Sequence, residues 1–298
     1  MTRPLKPWRK RESSPPGPDE IDYNCFMFFS ACICQNFKIS GFKPVIQFNN
    51  ETVFKNYEGM IIGKCLKCGI LKTFPPKDSS FNPKQSRADF YEKDKDLFIE
   101  LFKPIVEKIK KFRRKGKVLD VGCSSGILIE LLSKEGYEVY GIEPNKKAYK
   151  TANKKLNKRI FNGILKKFII KNKNKFDFVI YNHVLEHIDN PIDELFLVNK
   201  VLKKGGFLIV GLPNIQNIIF FLRQKYWEPL MPNEHIWHFS NKYLINLLKQ
   251  RGFMLLDISY SDDARKKYPI LKRLYFRILS LINKLFNTGE AMLLKAKK

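Results

Sequence analysis

The stretch from Lys117 to Glu143, KVLDVGCSSGILIELLSKEGYEVYGIE, constrains this chain more than any other. A short apolar run, Val118 to Val121, stops at Gly122 and Gly126. The apolar positions then switch to helical spacing through Ile127, Leu128, Leu131 and Leu132. That change of period describes a strand, a tight loop and a helix. After Gly136 a second run, Tyr137 to Ile142, ends on the acidic Glu143. Two parallel strands joined by a crossover helix, with a carboxylate at the tip of the second, are the start of a nucleotide-binding βαβ unit.

The positions of the glycines narrow the ligand. A dinucleotide fold needs G-x-G-x-x-G so that backbone and helix N-terminus can approach a pyrophosphate. Here Gly122 supplies the first glycine, but Ser124 and Ile127 occupy the other two places. The spacing present, Asp120-Val-Gly122-x3-Gly126, resembles motif I of the class I S-adenosylmethionine-dependent methyltransferases. Members of that family more often carry glycine where Ser124 stands, so one point of backbone freedom is lost. The resemblance implies a Rossmann-like, doubly wound α/β sheet of seven strands with the last strand antiparallel. It also implies S-adenosylmethionine as cofactor, held by Asp120, Gly122, Cys123, Gly126, Glu143, Pro144 and Asn182. In that arrangement Gly122 and Gly126 let the loop pass against methionine and ribose, and Asp120 holds the loop or reaches the ammonium through water. Glu143 accepts from the ribose hydroxyls, a geometry that suits a carboxylate. The family's usual acidic residue for adenine is missing near Gly163, which leaves backbone groups or Asn162 to serve.

A second signature follows in order. Phe176 to Asn214 reads FDFVIYNHVLEHIDNPIDELFLVNKVLKKGGFLIVGLPN: a buried strand, a helix opened by Pro191, a Gly205-Gly206 stop and another strand. It resembles the family's fourth strand, its "LEH" segment and the turn before the fifth strand. All four histidines of the chain, His183, His187, His235 and His238, fall between strand four and the region after strand five. In an open α/β sheet, ligands bind beyond the carboxyl ends of the strands. His187 or His235 is therefore the expected general base, with His183 beside them and Glu186 as orienting partner or cofactor contact. Tyr226, Trp227, Trp237 and Phe239 are expected near the same mouth. A zinc site from His235-x-x-His238 is the less favoured alternative.

Upstream, residues 1–20 combine basic residues with a Pro/Ser/Gly cluster and read as a disordered basic tail. Residues 21–83 read as a small zinc-ribbon-like module of short strands, and residues 84–298 as the methyltransferase domain. Cys65-Leu-Lys-Cys68-Gly69 has the knuckle form that chelates tetrahedral Zn²⁺. The module resembles the zinc-binding domain that precedes such methyltransferases. Its first pair departs from that pattern, with Cys32-x-Cys34 in place of C-x-x-C-G and Cys25 left over. Cys32, Cys34, Cys65 and Cys68 are the expected ligands of a structural zinc, and a metal-free remnant is the alternative. From Arg87 to Phe112 the apolar spacing is that of an amphipathic helix, bent or split at Pro104. The resemblance places it over the cofactor pocket, with Phe90 and Tyr91 near the substrate. Leu271, Leu274, Ile278, Leu281, Ile282 and Leu285 form a last apolar stripe flanked by lysine and arginine. Packing on the sheet is the favoured reading, and peripheral contact with a membrane the other.

Lys plus Arg number 55 against 29 Asp plus Glu, a formal charge of +26. Such an excess attracts polyanions, but it is diffuse, and no RNA-binding module accompanies it. Without a signal-like apolar stretch, and with cysteines spaced as for a metal, the expected location is the cytoplasm. The expected activity is methyl transfer to a small-molecule, sugar, glycan, lipid or quinone acceptor, with oxygen or carbon as acceptor atom. The histidines favour this, since such atoms need a base. An RNA methyltransferase and a catalytically inactive scaffold of the same fold are the alternatives.

Overall fold

The computed structural model describes residues 37–39, 61–65, 68–74, 88–156, 159–173, 175–232, 234–262 and 269–298. Cys25, Cys32, Cys34 and the basic tail lie outside the described residues. Three short strands come first: β1 (Phe37–Ile39), β2 (Ile61–Cys65) and β3 (Leu71–Phe74). Two helices follow, α1 (Ala88–Lys93) and α2 (Lys95–Phe112). The sequence pattern placed one helix here, bent or split at Pro104. The split is instead at Asp94, and α2 runs through Pro104. A proline there costs a hydrogen bond only to the carbonyl one turn back.

The alternating half comprises β4 (Lys117–Val121), α3 (Ile127–Lys134), β5 (Glu138–Glu143), α4 (Lys146–Lys155), β6 (Ile160–Asn162), α5 (Leu165–Lys171) and β7 (Phe176–Asn182). It continues with α6 (Pro191–Val201), β8 (Leu202–Pro213), α7 (Ile218–Arg223), β9 (Trp237–His238) and α8 (Asn241–Gln250). The chain closes with β10 (Met254–Ser261), α9 (Ile270–Leu285) and β11 (Ala291–Lys297). Seven of these strands form one sheet in the order β10-β11-β8-β7-β4-β5-β6. The run from β6 through β8 is parallel, and β11 enters antiparallel to both β8 and β10. The central strands β4 and β7 are buried along nearly their whole length, as a sheet covered on both faces requires. The strand order reverses between β4 and β7, so a crevice opens beyond their carboxyl ends.

A second sheet has the order β1-β2-β3-β9 and is antiparallel throughout. Its fourth strand is contributed by the segment after β8, with Leu71 opposite His238 and Lys72 opposite Trp237. The cysteine hairpin is thereby stitched to the histidine-bearing loop.

The last helix departs from the packing expectation. Phe276, Leu279 and Asn283 of α9 are buried, with Phe276 and Leu279 in a small core alongside Ile62, Ile219 and Trp227. Leu271, Leu274, Ile278, Leu281 and Leu285 are exposed, most of them by more than half. Among the described residues no helix is long and apolar enough to cross a membrane.

Asp177 joins the helix layer to the sheet. It is 3% exposed, accepts from the Lys117 backbone amide and from Lys203 Nζ, each at 2.8 Å, and pairs with Arg113. Burial opposes its ionisation, but Lys203, the Lys117 amide and Arg113 outweigh that and hold its carboxyl below the usual value. A depressed folded-state pKa stabilises above the unfolded-state value and is lost as pH falls through the folded-state value. Asp177→Ala is expected to cost about 2 kcal/mol at pH 7. Urea unfolding should show the gap from wild type closing below pH 4.

Candidate active site

The crevice beyond β4 and β7 holds about 330 Å³ of space, part of it open to solvent. Asp120, Gly122, Cys123, Ser124, Ser125, Ile127 and Leu128 line one side and Asn182 the other, with Tyr91 and Phe102 closing over it. The N-terminal helices thus cover the crevice from which the glycine loop is read. The loop conformation follows from its residues. Gly122 has φ +75°, and a Cβ there would come within 2.4 Å of a Val184 methyl; Gly126 has φ +82° and lies against Ala152 of α4 and Leu156 just after it. Both amides of the first turn, Gly122 and Cys123, donate to the Ile142 carbonyl at the end of β5.

Ser124 carries the departure seen in the sequence. It adopts φ +48°, a left-handed conformation that costs a non-glycine residue about 1–2 kcal/mol. Its amide donates to Glu143 Oε2 at 2.8 Å, while the Asn145 amide donates to Glu143 Oε1 at 2.8 Å. Glu143 therefore faces the loop and ties it to the start of α4. Asn145 caps that helix through the Lys147 and Ala148 amides, and Asn162 donates to the carbonyls of Glu143 and Pro144.

Asp120 is 4% exposed. Burial, with the Glu143 charge nearby, pushes its pKa up to about 8. Burial also raises Glu143, against the two amides that favour its charge. The Cys123 thiol is pushed well up by burial and by the same two carboxyls, so it is inert, and its sulfur fills the space left by Gly141. Only its backbone is available to a ligand.

Beyond Asn182 the histidines gather. His183 has φ +55°, a 47% exposed side chain, and Nδ1 at 3.4 Å from Glu186 Oε1. His187 and His235 meet edge to face at 4.8 Å between ring centroids, and His235 and His238 at 6.4 Å. Glu186 is 1% exposed; burial opposes its charge, but His183 and His187 outweigh that and hold its pKa down at about 2. Burial keeps His235 neutral, its pKa well below the usual value, and sets His238 at about 3. His238 Nε2 lies 3.0 Å from Thr73 Oγ1, which also donates to the His235 carbonyl at 3.0 Å. The sequence gives no signal for Thr73, nor for a two-residue strand such as β9.

The aromatics expected at the mouth are mostly elsewhere. Trp227, Trp237 and Phe239 are buried, held by packing and by indole bonds from Trp227 to Glu290 and from Trp237 to the Asp189 carbonyl; Tyr226 alone is exposed. Cys65 is fully buried, and Cys68 is half-buried on the turn closed by the Gly69 amide to the Cys65 carbonyl.

A family model described as a methyltransferase domain matches residues 93–258, the segment that contains the crevice and both signatures. The chain belongs to the S-adenosylmethionine-dependent methyltransferases. Among similar curated proteins, the ubiquinone biosynthesis O-methyltransferase of Pelagibacter ubique is 29% identical over 176 residues, covering 51% of this methyltransferase and 72% of that one. The mitochondrial ubiquinone biosynthesis O-methyltransferase of Rattus norvegicus is 34% identical over 152 residues, 46% of this chain and 44% of that one. The methyltransferase thus spans less than half the length of its matched mitochondrial relatives. The plantazolicin methyltransferase BpumL, solved in complex with SAH, shares the fold: TM-score 0.52, 17% identity, 75% of this chain and 93% of that one. The related BamL complex gives TM-score 0.50 at 17% identity over 75% of this chain and 94% of that one.

Two outcomes test the loop. Asp120 keeps its proton when folded but loses it near pH 4 when unfolded, so it destabilises progressively as pH rises toward 8. Ligand-free Asp120→Asn should therefore exceed wild type in stability by about 2 kcal/mol at pH 7.5, the gap vanishing toward pH 4. Relief of strain at Ser124 should make Ser124→Gly neutral or stabilising by up to about 1 kcal/mol, against the loss usual for glycine. Denaturant titration of each variant checks both.

Proposed function

We propose that this methyltransferase transfers the methyl group of S-adenosylmethionine to a hydroxyl oxygen of a small phenolic or quinol-type acceptor. The observation that carries the cofactor assignment is the orientation of Glu143 into the glycine loop at the point where the strand order reverses. Each Glu143 oxygen accepts one backbone amide and retains a lone pair for a ribose hydroxyl. Gly122, Cys123 and Gly126 offer backbone to the methionine portion, Asp120 takes the ammonium, Asn162 and Pro144 flank the adenine, and Asn182 stands at the acceptor side. The bound cofactor supplies an activated methyl on a sulfonium, so the protein's part is alignment and exclusion of water. Tyr91 and Phe102 do the excluding, as they close over the crevice.

An oxygen acceptor must lose a proton. His183 is suited to take it: it follows Asn182 directly, is half exposed, and faces the Glu186 carboxylate at 3.4 Å. His235 is too deeply buried for that task, and His187, whose Nδ1 is held by the Glu234 carbonyl, is the second candidate through its Nε2. The acceptor class is supported by the ubiquinone O-methyltransferase relatives. It is also supported by α9, whose exposed leucines and isoleucine alternate with Lys272, Arg273, Arg277 and Lys284. A helix of that kind suits an anionic lipid surface, where an acceptor with an apolar tail would reside.

Calorimetric titration with S-adenosylhomocysteine is expected to give one saturable site, weakened about tenfold or more in Glu143→Ala. Incubation with methyl-labelled S-adenosylmethionine and a prenylated catechol should yield a methyl ether, with turnover lowered about a hundredfold or more in His183→Ala. Label appearing only on nitrogen or carbon acceptors would remove the proposed acceptor class. Sedimentation with anionic vesicles should be lost in Leu271→Glu/Leu281→Glu and at high salt, while the titration is unchanged.

A further inference from the structure

Glu186 poses a problem that the methyl-transfer chemistry does not solve. Its carboxylate is 1% exposed, and neither oxygen has a hydrogen-bond partner. The ring nitrogens that face it are His183 Nδ1 at 3.4 Å and His235 Nε2 at 4.0 Å, both beyond a good hydrogen bond. A buried carboxylate in that state costs several kcal/mol unless a cation answers it.

The two rings beside it are set up in one particular way. His187 Nδ1 lies 2.8 Å from the Glu234 carbonyl, and His235 Nδ1 lies 2.9 Å from the Pro229 carbonyl. A carbonyl only accepts, so each Nδ1 carries the proton and each Nε2 of the neutral ring is left with its lone pair. Imidazoles that hold metals are oriented in this manner, the remote N–H bonded to a carbonyl or carboxylate. One ligand atom from each of Glu186, His187 and His235 lies within 4.8 Å of the other two.

We propose that Glu186, His187 and His235 bind a divalent transition-metal ion, zinc or one of its first-row neighbours, through one carboxylate oxygen and two imidazole nitrogens. Three such ligands leave further coordination positions open. Metal bonds of about 2.1 Å bring ligand atoms to roughly 3.4 Å apart, so the side chains turn inward by about an ångström on loading. The cysteine hairpin holds one wall of this site, because Thr73 bonds the His235 carbonyl and His238. This set shares only His235 with the His235-x-x-His238 pair that sequence spacing suggests. His238 is instead committed to Thr73.

The role of the metal rests on the methyltransferase reading above. An acceptor hydroxyl on an open position is acidified by the cation, and its proton passes to His183. The oxygen then attacks the methyl carbon as the carbon–sulfur bond breaks, its electron pair going to sulfur, which leaves neutral S-adenosylhomocysteine.

The test uses the full chain stripped with a chelator and titrated with Co²⁺ and Zn²⁺. Replacing Cys25, Cys32, Cys34, Cys65 and Cys68 by serine removes the competing thiolates. That variant is expected to take one equivalent of Co²⁺ with d–d absorption, and wild type to show the same bands whether or not sulfur charge transfer is added. His187→Ala, at a half-buried ring, and Glu186→Gln should each lower this affinity at least tenfold. Circular dichroism checks that each is folded, and His187→Ala carries the test if Glu186→Gln is not. Sulfur-only spectra in wild type, or N/O binding undiminished in His187→Ala, would overturn the site and leave a carboxylate–imidazolium pair in its place. Parallel titration with S-adenosylhomocysteine separates the two readings. Metal bound without it keeps the site and removes the acceptor role.

Discussion

The Glu143 carboxylate, bridging the Ser124 and Asn145 amides, is the contact on which the active end of the molecule depends. It converts the tip of β5 into a strut between the glycine loop and the start of α4. The loop, the strand tip and the helix start are fixed by one side chain, without closing the crevice that they border. The arrangement has a cost. Two carboxyls, Asp120 and Glu143, are buried in one small region, and the ligand-free protein resolves this by keeping a proton on Asp120 near neutral pH. A cofactor bearing positive charge on both sulfur and nitrogen is the natural counterweight, so the electrostatics and the shape of the crevice agree.

The proposed acceptor side is governed by different physics. There the rings are held by carbonyls and by Thr73, and the charge is concentrated on Glu186. The cofactor side depends on backbone geometry within one βαβ unit; the acceptor side depends on the pairing of β3 with β9, which joins residues more than 160 positions apart.

That difference explains what the sequence made legible. The βαβ unit is local, and its signals, an apolar run, two glycines and a terminal acid, all act within one short stretch. The antiparallel last strand was expected only from the family resemblance, since AMLLKAK holds no β-branched or aromatic residue. The gathering of histidines was readable from their position after the strand ends. Their partners were not: β9 is too short to have a period, and Thr73 lies in a hairpin whose only visible signal was Cys65-x-x-Cys68. Trp227, Trp237 and Phe239 were misplaced because aromatic residues near a site and aromatic residues in a core look identical in sequence. The exposed stripe of α9 was misjudged for the same reason, since amphipathic spacing identifies the apolar face but not what meets it.

The stitching of the cysteine hairpin to β9 has a consequence for how such a molecule changes over evolutionary time. On the proposed reading, the donor pocket and the wall of the acceptor side reside on separate stretches of polypeptide that meet where β3 pairs with β9 and Thr73 bonds the histidine loop. Replacing the hairpin by another of like register would reshape what is admitted while leaving the donor pocket intact, so selectivity can drift as an interchangeable part.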